Sequence, residues 1–384
     1  MMAKRRVVKR KKNIDGKMKS GDFMLVILTL ILLIFGVMMV FSASYYFSIN
    51  KYGDPYHYLK RDIVWAVAGI IAMTVCALID YRVYEKLAPA AMVISVILLL
   101  LIFTPLGITR NNATRWLGIE MGSHSITIMP GEIAKIACIV FTAWYLSRDP
   151  DRIKSLRDGI LPLVALCGLC GILIIKQPNL STALTVCGII VAMMFVAGMS
   201  WKYIAGVGAL GIVSVAGLLK MAPDSEWVKR ITSFFNPFDD PLGEGYQVVQ
   251  GLMAFGTGGL FGTGLGKSIQ KNLYLPEPQN DFILPIIAEE LGFVGVIILM
   301  IVYMLLIWRG IHIAVNAKDM FGCLLAAGIT IMLALQVIMN IAVVTSSMPP
   351  TGISLPFISY GGNSLLIFMG SMGVLLNISR HAAR

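Results

Sequence analysis

The sequence predicts an all-α polytopic membrane protein: ten transmembrane helices, with one long extracytoplasmic loop between spans seven and eight. Three observations carry that expectation. Mean hydropathy is +0.78, and 57% of residues are apolar against 14% charged, which leaves too little polar surface for a soluble chain. Apolar runs of about 20 residues, enough to cross a bilayer, begin near Asp22, Asp62, Leu87, Pro130, Gly159, Leu180, Trp201, Phe282, Phe321 and Pro356. One connection is long, about sixty residues between Met221 and Phe282, where most connections are short.

Residues 1–21 form a basic cytoplasmic tail, and residues 22–380 form the ten-span domain. The tail runs from Lys4 to Lys19 and precedes an apolar stretch too long for a secretory signal, with no small-residue cleavage site after it, so the first span is retained. With the N-terminus inside, basic residues are more numerous on the cytoplasmic side, which makes both termini cytoplasmic. The tail suits anionic lipid headgroups; no nucleic-acid-binding pattern accompanies it, so nucleic acid is not an expected partner. The six cysteines, Cys76, Cys138, Cys167, Cys170, Cys187 and Cys323, lie in apolar runs and read as small hydrophobes. The Cys167/Cys170 pair lacks the context of a redox or zinc motif.

The loop, about 222–282, is where function is expected to gather. Tyr246, Val249 and Met253 recur at helical spacing and suggest a short amphipathic or re-entrant helix. The glycine-rich run from Gly256 to Ser268 ends in Gly266-Lys267-Ser268, like a P-loop, but Phe261 stands where that pattern needs glycine. What remains is either a flexible re-entrant turn or a chain that brings N–H groups close to an anion or glycan.

Acids beside the bilayer need a reason. Asp281, at the mouth of span eight, is stiffened by Pro276, Pro278 and Pro285; it suits a helix cap or a base. Glu289 and Glu290 lie deeper, where an unpaired charge costs on the order of 3 kcal/mol, and call for a basic partner or a wet cavity. Glu132 and Lys135 sit one helical turn apart and meet as an ion pair. Arg115 and Arg230 offer guanidinium groups for bidentate phosphate contacts or for lipid headgroups. The segment from Pro349 to Ser364 is a hydroxyl-rich, Pro/Gly-broken entry to span ten, tolerable at that depth only where protein or water satisfies it.

Four motifs carry a resemblance: Tyr274-Leu275-Pro276-Glu277-Pro278-Gln279-Asn280-Asp281-Phe282-Ile283, Ala288-Glu289-Glu290-Leu291-Gly292-Phe293, Leu355-Pro356-Phe357-Ile358-Ser359-Tyr360-Gly361-Gly362 and Asn236-Pro237-Phe238-Asp239-Asp240-Pro241. With Val40-Phe41-Ser42-Ala43-Ser44 and Asn377-Ile378-Ser379-Arg380, the chain resembles the SEDS family (shape, elongation, division and sporulation), nearest its FtsW and SpoVE branch, over nearly its whole length. Departures are Asn280 for the usual Thr, Asn179 for an acid, Gly131 for Ser and Asn363 for Ser. The Asn179 change removes any catalytic role expected of the turn between spans five and six.

The resemblance implies a peptidoglycan glycosyltransferase that polymerises lipid II at the outer membrane face in division or sporulation. It also implies a class B penicillin-binding protein as partner transpeptidase, with divisome or sporulation proteins around it. Asp281 falls on the essential acid and is the expected base toward the acceptor hydroxyl. Arg115, Glu132, Lys135, Arg230, Glu290, Ser359 and Gly362 are the expected substrate-binding residues. No resident cofactor is expected, and a divalent cation, magnesium or manganese, is a candidate helper at the diphosphate. Two other classes stay open: a lipid II flippase using the intramembrane acids as a polar path, and a non-catalytic scaffold of the cell-wall synthase.

Overall fold

The computed structural model describes residues 21–110, 113–121, 124–221, 234, 243 and 245–382. Its long helices are α1 (Phe23–Tyr52), α2 (His57–Leu78), α3 (Arg82–Leu101), α4 (Pro130–Arg148), α5 (Leu161–Ile175), α6 (Leu180–Val196), α7 (Trp201–Met221), α8 (Tyr246–Gly258), α9 (Ile283–Val315), α10 (Met320–Val344) and α11 (Gly362–His381). Among the described residues, seven helical segments are long and apolar enough to cross a membrane: α1, α2, α3, Leu156–Ile175, α9, α10 and α11. The molecule is mostly helical and multi-span, as its composition requires. The basic tail and most of residues 222–244, Arg230 among them, lie outside the described residues.

One element departs from the all-α expectation. Between α3 and α4 lies a three-stranded antiparallel sheet, β1 (Gly107–Arg110), β2 (Ala113–Met121) and β3 (His124–Ile128), in the order β1-β2-β3. Two of its strands are short, and in the nine-residue β2 Arg115, Trp116 and Leu117 follow one another without polar alternation, so no period of two stands out in the sequence.

The packing has a centre and a lipid-facing rim. Helix α10 touches α4, α6, α9 and α11, and α11 lies along α2. Ile63, Val64 and Val67 of α2, Val93, Ile94 and Ile97 of α3, and Met304, Trp308 and Ile311 of α9 are exposed. In a chain this apolar they form the face turned toward acyl chains. At the far end of α9, Asp22 caps α1 by accepting from Leu25 N at 3.0 Å, forms an ion pair with Arg309, and donates its own N–H to Ser379 Oγ at 3.0 Å. That knot ties α1, α9 and α11 together.

Helix α9 is broken at Gly292, whose φ of 70° and ψ of −174° are not helical. A break frees backbone groups that hydrocarbon cannot satisfy. Here the glycine-rich run supplies partners: Thr263 N donates to Glu289 O at 2.9 Å and Gly264 N to Glu290 O at 3.0 Å. In return Phe293 N donates to Gly259 O at 2.9 Å and Val294 N to Leu260 O at 3.1 Å. The run is therefore a backbone-pairing strap. Helix α8, expected from Tyr246, Val249 and Met253, is present and buries Val249 as expected, but its other buried residues are Val248, Gly251, Ala254 and Gly258, and Met253 is exposed. The face rotates because glycines, not bulky side chains, let α8 and the strap approach α9.

Gly262 has φ +79°, and a Cβ there would collide with Glu290 O. Gly262→Ala is thus expected to destabilise by about 1–3 kcal/mol through backbone strain alone, with the collision adding to it. A thermal melt of the detergent-solubilised protein reads this; a native melting temperature would show that the strap does not depend on that glycine.

Candidate active site

Asp281 stands two residues before α9, half-buried, in a stretch that is otherwise tightly held. The N-cap of α9 is Phe282, with no side-chain cap, so Asp281 is not that helix's capping residue. Its backbone carbonyl accepts from Asn340 Nδ2 at 2.9 Å. The same amide donates to Ile353 O at 2.6 Å. A Cβ placed on Gly352 would stand 3.3 Å from Asp281 Oδ2, so the carboxylate lies against the 351–354 segment. Two residues upstream, Gln279 is fully buried, and Gln279 O accepts from Tyr360 N at 2.9 Å.

Glu132 and Lys135 occupy the first turns of α4, both buried, and form the expected ion pair at 2.7 Å. Lys135 Nζ also donates to Gln336 Oε1 at 3.0 Å and lies over the Phe368 ring, 5.8 Å from its centroid. Arg115 projects from β2 and donates to Pro178 O. This ties the sheet to the turn between α5 and α6, where Asn179 accepts from Thr182 N at 3.3 Å and caps α6.

Glu290, an expected substrate-binding residue, sits in a buried ion pair with Lys271. It is 0% exposed, paired with Lys271 at 2.7 Å, and accepts from Ser42 Oγ at 2.7 and 2.9 Å. Lys271 Nζ also donates to Ser42 Oγ at 3.0 Å. Glu289, likewise 0% exposed, accepts from Ile269 N at 2.9 Å, from Gln270 N at 3.3 Å and from Ser268 Oγ. The two adjacent carboxylates therefore clamp residues 268–271 onto α9 and, through Ser42, onto α1. A charge buried in an apolar slab persists only when it is compensated: Glu290 by an ion pair and hydrogen bonds, Glu289 by three hydrogen bonds.

Ser359 and Gly362 support the site from the other side. Ser359 Oγ accepts from Leu355 N at 2.8 Å, which closes the turn entering α11. Gly362 opens α11 against the Trp65 indole of α2, which occupies the space where a side chain would project. Sequence reasoning misses Ser42, Lys271, Gln336 and Asn340. The last two carry a legible signal, since they stand four apart as amides in an apolar span and so share one helical face.

The fold and this site define a multi-span membrane protein with a half-buried acid, Asp281, before one long helix, backed by buried ion pairs. A family model described as cell cycle protein, covering FtsW, RodA and SpoVE, matches residues 23–384, and the chain belongs to that family. Stage V sporulation protein E of Bacillus subtilis (strain 168) is 43% identical, over 95% of this chain and 99% of that one. A probable peptidoglycan glycosyltransferase FtsW of Geobacter sp. (strain M18) is 39% identical, over 94% and 98%. Among solved structures, a chain of a peptidoglycan synthase complex, described as coordinating polymerization and crosslinking, superimposes with a TM-score of 0.76 at 25% identity, over 94% of this chain and 98% of that one. The rod shape determining protein RodA of Thermus thermophilus gives 0.69 at 26%, over 95% and 98%.

Removing one partner of a buried pair strands the other charge. Lys271→Met is therefore expected to cost about 3–5 kcal/mol, whereas the double change Lys271→Met with Glu290→Met recovers most of that loss. Thermal melts of the three proteins decide it: equal melting of the single variant and the native chain would remove the clamp from the account of the fold.

Proposed function

We propose that the protein is a peptidoglycan glycosyltransferase that polymerises lipid II at the outer face of the cytoplasmic membrane. The observation that carries this reading is a contrast among acids. Glu132, Glu289 and Glu290 are buried in ion pairs or hydrogen bonds, while Asp281 remains half-buried at the mouth. A base must reach its substrate, and among these four Asp281 has the surface to do so.

In the proposed reaction, Asp281 takes the proton from the C4 hydroxyl of the acceptor sugar as that oxygen bonds to the anomeric carbon of the donor. The bond from that carbon to the lipid diphosphate breaks, and the diphosphate leaves with the electron pair. Attack opposite the leaving group inverts the centre. A positioned base contributes about 10² to 10⁴ in rate; alignment and stabilisation of the diphosphate supply the rest. Lys135, Arg115 and Arg230 are the proposed cations, with Glu132 holding Lys135. A divalent cation, magnesium or manganese, would travel with the diphosphate as part of the substrate.

The topology that goes with this reading has ten spans, the seven above together with α4, α6 and α7, and both termini in the cytoplasm. The partner is a class B penicillin-binding transpeptidase, in a division or sporulation assembly; the synthase complex that this chain resembles supports a polymerase working beside a crosslinking enzyme. A flippase that used the intramembrane acids as a polar path would want them available, and Glu132, Glu289 and Glu290 are committed.

The test is glycan polymerisation from labelled lipid II by the purified protein with its cognate transpeptidase. Asp281→Asn and Asp281→Ala are each expected to abolish polymer at equal folding and complex yield. Polymer persisting in both would remove Asp281 as the base. No polymer from any complex, alongside transbilayer movement of lipid II, would favour the flippase.

A further inference from the structure

We infer that Asn340 is a positioning residue for Asp281, and that one buried face of α10 sets the spacing between that acid and the Glu132–Lys135 pair. The inference rests on Asp281 acting as the base. Asn340 is 0% exposed and Gln336, one turn away on the same face, is 3% exposed. An apolar span has no use of its own for two carboxamides, because its backbone ladder is complete without them and their burial demands partners. All their partners belong to the site. Asn340 Nδ2 holds Asp281 O at 2.9 Å and Ile353 O at 2.6 Å. Gln336 Oε1 takes Lys135 Nζ at 3.0 Å, and Gln336 Nε2 faces Ser354 O at a longer 3.4 Å.

Two consequences follow from that bonding. The segment 353–354 is gripped by both amides, and the Asp281 carboxylate lies against its neighbour Gly352, so a shift of Asn340 moves both the backbone that bears the acid and the wall behind it. Also, because both Asn340 N–H groups face carbonyls, its Oδ1 is left buried with no partner. The amide is thereby oriented and cannot turn to relieve itself. Helix α10 also packs against both α4, which bears Lys135, and α9, which follows Asp281. It is thus the ruler between the two halves of the site.

Steady-state polymerisation by the full-length protein with its transpeptidase, with lipid II as substrate, tests this. Asn340→Ala is expected to lower kcat by about 10 to 10² while KM for lipid II stays within about twofold, as for a catalytic group misplaced by roughly 1 Å. Asn340→Asp, of equal size, is buried facing two carbonyl oxygens, so its carboxyl stays protonated and keeps one O–H donor for them. It is expected to restore most of the kcat lost in Asn340→Ala, because a donor to the Asp281 carbonyl is again in place. A residue that only glued the fold would alter yield and melting but leave kcat per folded complex unchanged. Native kcat in Asn340→Ala, or no recovery of kcat in Asn340→Asp, overturns the positioning role. Asp281→Asn in the same assay distinguishes failure of the base from failure of the positioning role. If it polymerises, the base assignment fails; if it is inactive while Asn340→Ala runs at the native rate, only the positioning role fails.

Discussion

A helix broken inside an apolar slab releases N–H and C=O groups that only the protein itself can satisfy, and one half of this protein is arranged around such a break. Gly292 interrupts α9, and the freed groups pair with residues 259–264 of the strap. Glu289 and Glu290, just before the break, then fasten residues 268–271 through their side chains. Between that clamp and the start of α9, the chain from Asn272 to Asp281 is fixed at both ends. The acid is thus delivered to the mouth by the answer to a hydrogen-bonding problem some three turns deeper in the helix.

Charge is used in two ways within one small volume. Glu290, Lys271 and Ser42 neutralise one another out of solvent and join α9, the strap and α1. Glu132 and Lys135 form a second buried pair, but this one is tied by Gln336 to the helix that also holds Asp281 through Asn340. The first pair supports structure, and the second lies within the polar network that ends at the half-buried acid. The opposite end of the molecule is secured by Asp22, Arg309 and Ser379, which anchor the same three helices that meet near the site or support it.

Much of this is legible in the chain itself. Apolar runs of bilayer length mark the spans, the three-residue spacing of Glu132 and Lys135 announces their pairing, and the Pro-flanked Asp281 stands out as the acid at the mouth. The sheet between α3 and α4 is not legible, because β1 and β3 are short and the longer β2 does not alternate. Nor is the fate of Glu290: its partners are Lys271, 19 residues earlier, and Ser42, 248 residues earlier. No local pattern links positions so far apart. The glycine-rich run reads locally only as a flexible turn or an anion cradle, since its true partner is the backbone of a broken helix.

Sequence by itself determined that this chain is a multi-span membrane protein, roughly where most of its helices lie, and that Asp281 is the candidate acid, because hydropathy, helical period and proline stiffening are local properties. The tertiary structure alone decided which buried charges neutralise each other and which side chain sets the height of Asp281. Those outcomes depend on helices meeting across hundreds of residues, where a polar group in a dry interior takes whatever partner the packing brings within about 3 Å.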